Sequence, residues 1–207
     1  MIQIILRNKI KAMKTKRLQY TKTFLTTIIL IILAIKPGYT QEDIWDAIIS
    51  RKIATVKEII KQNPDMINNA INQDGDTLLH YAARYGQPEI AELLIENGAN
   101  INATNIKNNQ TPLYLAVFFN DVEITSLLIK NGADVNIKDF KGVTTLHIAL
   151  SNNRNEALVM LLIKSGSNVN VKDNNGNTPL SLAIKNGNLK LATLIRIIYL
   201  RRRPIKF

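Results

Sequence analysis

A short block of sequence recurs four times at nearly constant spacing along this chain. Each copy opens with a threonine, has a leucine two residues later and an alanine five residues later, as in the stretch TLLHYAA that begins at Thr77. The leading threonines are at positions 77, 111, 144 and 178, so the copies are 34, 33 and 34 residues apart. A unit of this size cannot bury its own apolar face. The chain must therefore fold as a stack of similar units.

A second block keeps the same period. It reads LLIENGANINA from Leu93, LLIKNGADVNI from Leu127 and LLIKSGSNVNV from Leu161. Threonine is a favoured N-cap, proline is tolerated at the first helical position, and glycine accepts the left-handed backbone that ends a helix. Each unit is therefore predicted to hold two short helices separated by turns. The first unit carries one extra residue within 103–109, in a loop.

Together the two blocks resemble the ankyrin repeat, whose signature includes T-P-L-H-x-A at a period of 33. The resemblance covers about residues 43–200 and implies an all-α ankyrin-repeat solenoid of helix–turn–helix units joined by β-turn loops. We expect four repeats at about 73–105, 106–138, 139–172 and 173–200. A divergent capping unit at 41–72, with Trp45 facing the stack, precedes them, and a basic tail at 201–207 follows.

The net charge of +11 first suggests a nucleic acid or an anionic membrane as the partner. The charge is unevenly placed, however: +8 in residues 1–40, −2 in 41–195 and +5 in 196–207. A folded nucleic-acid binder shows its basic stripe on the folded domain. We therefore expect no nucleic acid on the repeat stack.

The positive charge at the start of the chain precedes twelve uncharged residues, FLTTIILIILAI at 24–35. A basic region followed by an apolar core of 7–15 residues is typical of a secretory signal peptide. We expect cleavage near Thr40 and a secreted or periplasmic product, as for an exported bacterial ankyrin protein. Two alternatives stay open: an uncleaved N-terminal membrane anchor, and a buried helix of a soluble protein.

The residues available for chemistry are few. The chain has no cysteine and only two histidines, which excludes disulfide scaffolds, thiol catalysis and Cys-based zinc sites. His80 and His147 occupy the same motif position, and the resemblance implies that they bond Thr77 and Thr144. No phosphate-binding glycine motif and no serine triad is present. We expect no catalysis, no cofactor and no metal.

Surface recognition is then the expected activity. In ankyrin stacks, partners bind the turn tips and the concave face of the first helices, which implies an unidentified protein partner for a monomeric interaction module. Those positions include Asp76 here, and exposed aromatic and cationic side chains favour interfaces. The partner-binding candidates are Arg84, Tyr85, Phe118, Phe119, Phe140 and Lys141. The alternative for Phe118 and Phe119 is packing between repeats as core.

A second function stays open. The chain could be a membrane-tethered scaffold or assembly protein, localised by its N-terminal segment and its basic C-terminal tail. Membrane contact would then run through residues 24–35 or through the tail. The simpler interpretation of the tail is that its arginines complement a helix C-terminus and aid solubility.

Overall fold

The computed structural model describes residues 39–151 and 155–201. The expected signal segment at 24–35 and the tail residues 202–207 lie outside the described residues. By its contacts the chain divides into two units, Met1–Thr40 and Gln41–Phe207, and the helices of the described residues belong to the second. These are α1 Gln41–Ile49, α2 Ile53–Gln62, α3 Met66–Asn69, α4 Leu78–Arg84, α5 Pro88–Glu96, α6 Pro112–Phe118, α7 Val122–Lys130, α8 Thr145–Ser151, α9 Glu156–Lys164, α10 Pro179–Lys185 and α11 Leu189–Arg201.

The helices of the second unit form two rows. Helices α1, α4, α6, α8 and α10 pack side by side in an inner row, and α2, α5, α7 and α9 do so in an outer row. Each inner helix also packs against the outer helix that follows it, and α11 continues the outer series against α10. No strand occurs between residues 39 and 151 or between 155 and 201. The prediction of an all-α fold is confirmed for this part of the chain.

The inner helices begin where the threonine motif predicts. Thr111 and Thr178 are N-caps with extended backbones, and their hydroxyl oxygens accept from the backbone N–H of Tyr114 and Ser181, each at 3.1 Å. Pro112 and Pro179 follow as the first helical residues, where the missing N–H leaves no bond unmade. The N-cap threonine and the proline together determine where each of these two helices begins.

The inner helices end at residues with left-handed backbones. The φ angle is +62° at Gly86, +63° at Asn120 and +70° at Gly187. The equivalent position of the cap is Arg51, at +57°, which shows that the capping unit makes the same turn without a glycine. Asparagine tolerates this conformation better than other non-glycine residues.

The extra residue of the first repeat is absorbed by one side chain. Asp139 accepts from the backbone N–H groups two and four residues further on, at 2.8 Å each. Asn105 fills the same role but accepts from Asn108 and Gln110, three and five residues on, at 3.1 Å each. The turn therefore bulges by one residue, while the next helix starts in phase.

The last helix is longer than its counterparts. Helices α5, α7 and α9 have nine residues each, and α11 has thirteen. Each shorter helix is followed by one C-cap residue and then by a glycine with positive φ: Gly98, Gly132 and Gly166. Tyr199 stands at the corresponding position of the fourth repeat, so the helix continues. Within residues 39–151 and 155–201, none of the helices is long and apolar enough to cross a bilayer.

Candidate protein-binding surface

The two motif histidines join neighbouring repeats. The Nδ1 atom of His80 accepts from the Thr77 backbone N–H at 3.1 Å and lies 2.9 Å from the Thr77 hydroxyl. Its Nε2 lies 2.9 Å from the carbonyl oxygen of Gln110 in the next repeat. Since a carbonyl can only accept, Nε2 carries the proton and the ring is neutral.

His147 repeats this arrangement. Its Nδ1 accepts from the Thr144 backbone N–H at 3.2 Å, and its Nε2 lies 3.2 Å from the Asn177 carbonyl oxygen. Burial lowers the pKa of both imidazoles below the ordinary value of 6.5. All four ring nitrogens are engaged, so neither histidine offers a free base to a substrate. The expected pairs Thr77–His80 and Thr144–His147 are present.

In the second and fourth repeats, Tyr114 and Ser181 take the position of the motif histidine. Burial raises the pKa of Tyr114 to about 12, and the Asp139 carboxylate beside its hydroxyl adds to the shift. Tyr114 thus also reaches the turn of the next repeat. Ser181 bonds only locally, and its Oγ accepts from the Thr178 backbone N–H at 2.8 Å.

Three asparagines near the junctions between units form a second set of links. The side-chain oxygens of Asn68, Asn102 and Asn136 each accept a backbone N–H of the following unit at 2.8 Å. These three residues are spaced by exactly one repeat length of 34, and the first lies in the cap. The cap therefore bonds to repeat one as the repeats bond to each other. The sequence analysis did not predict these links between units.

The turn tips are linked through their backbones. The N–H groups of Lys107, Phe140 and Asn174 donate to carbonyl oxygens of the preceding tip, those of Asp74, Asn108 and Lys141, at 2.9–3.2 Å. An ion pair of 2.9 Å joins Lys107 to Asp74 across the first junction. The tips therefore form a continuous edge beside the inner helices.

Aromatic side chains project from this edge and from the inner helices. Tyr85 is 41% exposed, Phe118 47%, Phe119 48% and Phe140 61%. Phe118 and Phe119 contact each other edge to face with ring centroids 5.2 Å apart. The alternative that either phenylalanine packs as core between repeats is therefore wrong in this structure. The candidates Tyr85, Phe118 and Phe119 end consecutive inner helices, which places them on one side of the stack.

Sequence reasoning missed a further aromatic residue of this surface. The ring of Tyr81 lies 4.5 Å from that of Trp45 in the cap and 5.6 Å from that of Tyr85, measured between centroids. The side-chain amide of Asn72 donates to the Tyr81 hydroxyl at 3.2 Å. An aromatic residue directly after the motif histidine was the available signal. We call Trp45, Tyr81, Tyr85, Phe118 and Phe119 the inner aromatic row.

The cationic candidates differ from each other. Lys141 is exposed at a turn tip. Arg84 donates to the Asp76 carboxylate at 2.6 Å, and Asn105 donates to the other oxygen of that carboxylate at 2.7 Å. Asp76 is only 1% exposed, so its assignment to the contact positions is wrong. It holds the first turn to the second repeat, and Arg84 has a structural partner besides any role in binding.

The described residues also bear on other kinds of site. Within residues 39–151 and 155–201 no three His, Asp or Glu side chains come together in a group that could hold a metal ion. A cleft of about 410 Å³ lies at the end of the stack, away from the inner aromatic row, and is lined by Val169, Asn170, Lys172, Thr178, Leu180, Ile195 and Tyr199.

These features define a class: a helical repeat protein whose units bond to their nearest neighbours and present one continuous face. Comparison with known families agrees. A model of ankyrin repeats in three copies matches residues 44–139, and a model of ankyrin repeats in many copies matches residues 128–192. The chain belongs to the ankyrin repeat family. Repeats of this family are in general protein–protein interaction modules and are typically not enzymes. The comparison with curated proteins returns no match.

Proposed function

We propose that this protein binds another protein, without catalysis, through the inner aromatic row and the adjoining turn tips. The observation that carries the proposal is the exposure of Tyr85, Phe118 and Phe119 on consecutive inner helices. Side chains of this type are rarely left clustered in water without a use, and they are enriched among the residues that dominate binding energy.

The surroundings of the row support binding rather than folding as its role. Its backbone is fixed by the bonded turn tips and by the histidine links, so a partner meets a preorganised surface. Preorganisation reduces the entropy lost on association. Phe140 and Lys141 extend the surface along the tips, and their backbones bond to the neighbouring tips while their side chains are exposed.

The test is a double variant, Phe118→Ala with Phe119→Ala. Full-length protein is used as bait against the proteins of its source cell, and the affinity for the captured partner is then measured. We expect the affinity to fall by at least about 2 kcal/mol, or roughly thirtyfold, because hot-spot aromatics carry such energies. The melting temperature should stay nearly unchanged, since both rings are half exposed.

Val122→Ala is the matched control, because Val122 is an exposed apolar residue of the same repeat but lies on its outer helix. It should leave partner binding intact. A large loss of stability in the double variant would show that the two rings are core. Unchanged affinity with unchanged stability would show that the partner binds elsewhere.

We further propose that residues 1–40 export the protein and are removed near Thr40. The support is the charge and apolar pattern of that segment alone. N-terminal sequencing of the natural product is the direct test. A chain that starts near Gln41 fits a released binder, whereas an intact N-terminus fits the tethered scaffold.

A further inference from the structure

The last helix carries an exposed stripe that the protein-binding surface does not use. Leu189 is 72% exposed, Ile197 43% and Leu200 56%, and the exposed side chains of Thr193 and Arg196 lie between them. Their spacing of four, seven, eight and eleven residues from Leu189 places all five on one side of an α-helix. The opposite side of α11 is buried and packs on α10.

The equivalent stripe on the earlier outer helices is chemically different. In α5 the corresponding region carries Glu89, Glu92 and Glu96, all exposed. In α7 it carries one glutamate and one lysine. Helix α2 combines one exposed isoleucine, Ile53, with Lys57 and Lys61, but among the outer helices within the described residues only α11 exposes leucine, at two positions beside Ile197.

Charge is also distributed unevenly along the stack. Residues 41–151 contain 14 acidic and 9 basic residues, a net charge of −5. Residues 174–207 contain seven basic residues and no acidic one. The apolar stripe of α11 thus lies in the strongly cationic part of the chain, while the first repeats are acidic.

We propose that the exposed side of α11 binds the surface of a membrane rich in anionic lipid. An amphipathic helix with apolar and basic residues lies in the plane of the interface, with its apolar side chains among the headgroups. Each cation near such a surface is attracted to it. Thirteen residues give a helix of about 20 Å, too short to span the hydrocarbon core, so α11 lies on the membrane.

An acidic helix of another protein is the competing occupant of this stripe. The membrane is favoured because residues 174–207 carry seven basic residues and no acidic one, a charge that suits an extended anionic surface. The acidic outer surface of α5 would be repelled by the same membrane, which orients the stack with its last helix toward the lipid. This inference does not depend on the protein-binding proposal, which concerns the inner row.

The experiment measures co-sedimentation of the full chain with vesicles. One set contains phosphatidylcholine and phosphatidylserine at roughly seven to three, and the other contains phosphatidylcholine alone. We expect at least about tenfold stronger partitioning into the anionic vesicles at low salt, and a loss of most of that difference in about 0.5 M salt.

Two variants test the two components of the stripe. Leu189→Gln with Ile197→Gln and Leu200→Gln removes the apolar part, and Arg201→Gln with Arg202→Gln and Arg203→Gln removes charge that follows it. Each should weaken binding to anionic vesicles by about tenfold or more. The matched controls are Val122→Gln on α7, and Lys52→Gln with Lys57→Gln and Lys61→Gln in the cap, which should bind as the unaltered chain does.

Every outcome bears on the proposal. If binding is equal for anionic and neutral vesicles, or is unchanged in both variants, membrane contact belongs to residues 1–40 and the proposal for α11 is overturned. Absence of vesicle binding would overturn it in favour of a protein occupant. Circular dichroism melts accompany each variant; if the apolar variant is unfolded, the charge variant decides.

Discussion

The first three repeats differ from the fourth in one respect: the fourth has no described repeat packed on its far side. Leu79, Leu113 and Leu146 are buried at one motif position, while Leu180 is only partly buried and lines the end cleft. Ala83, Val117 and Leu150 are likewise buried, and the equivalent Ile184 is 57% exposed.

The polar motif positions show the same difference. His80, Tyr114 and His147 each reach the turn of the following repeat, whereas Ser181 bonds only to its own N-cap. The residue at the motif histidine position therefore has two different structural roles. Within the stack it joins units, and at the end it only starts a helix.

The largest effect should come from shortening the shared leucine. Leu113→Ala removes a fully buried side chain and leaves a cavity, so we expect a loss of about 3 kcal/mol in the free energy of unfolding. Leu180→Ala should cost about 1 kcal/mol, because solvent already reaches that position. Urea denaturation of both variants measures the difference. Equal losses would mean that the end of the stack is covered as fully as its interior.

The turn glycines sharpen the comparison. A Cβ on Gly75 would lie 2.7 Å from the backbone nitrogen of Ile106 in the next tip, whereas a Cβ on Gly176 meets no heavy atom within 4 Å. Both have positive φ, +79° and +81°, so alanine strains both turns alike. Gly75→Ala should therefore be less stable than Gly176→Ala by about 1–2 kcal/mol.

Thermal melts of these two glycine variants under identical conditions give the difference directly. If the two variants have the same melting temperature, the turn tips do not pack as tightly as described. A loss confined to Gly176→Ala would contradict the comparison altogether.

The smallest effect concerns pH. The folded-state pKa of His80 and of His147 lies below the ordinary 6.5, so the unfolded chain binds protons first as the pH falls. The stability present above pH 6.5 should be lost progressively below it, by about 1.4 kcal/mol for each unit of pKa depression. Protonation at Nδ1 also removes the acceptor of the Thr77 N–H.

Melting temperatures between about pH 8 and pH 5 test this in the unaltered chain and in His80→Gln. The variant should be less stable at pH 8 and should lose less on acidification. Ser181→Ala, at the same position of the last repeat, should leave the pH dependence unchanged. A pH profile unaffected by His80→Gln would show that other groups control it.

Much of the fold could be predicted because the period of the repeat is visible in the sequence. Thr111 with Pro112, and Gly86 with Asn120, mark helix starts and ends through local backbone preferences, which sequence shows directly. The pairing of His80 with Thr77 was implied by the resemblance to the ankyrin repeat and is present in the structure. The length of α11 could also be anticipated, since Tyr199 replaces the glycine that ends the other outer helices.

The contacts between units could not be predicted in the same way. Asp76 sits at a tip position that is variable in the family, yet here it is buried by Arg84 and Asn105, a pairing that depends on two side chains 8 and 29 residues away. Tyr81 belongs to the inner aromatic row through its contacts with Tyr85 and with Trp45, the second across the boundary between the capping unit and the first repeat. The repeat period and the composition do not show which side chains of different units come into contact.

The opposite charges of the early and late repeats have a kinetic consequence. Without residues 1–40, the stack is acidic toward its first repeats and basic at its last, and it carries an electric dipole. Near a charged surface the dipole experiences a torque within about one Debye length, so the molecule rotates before it touches. Added salt should therefore slow productive encounters by abolishing this alignment, even for a partner whose final contacts are entirely apolar.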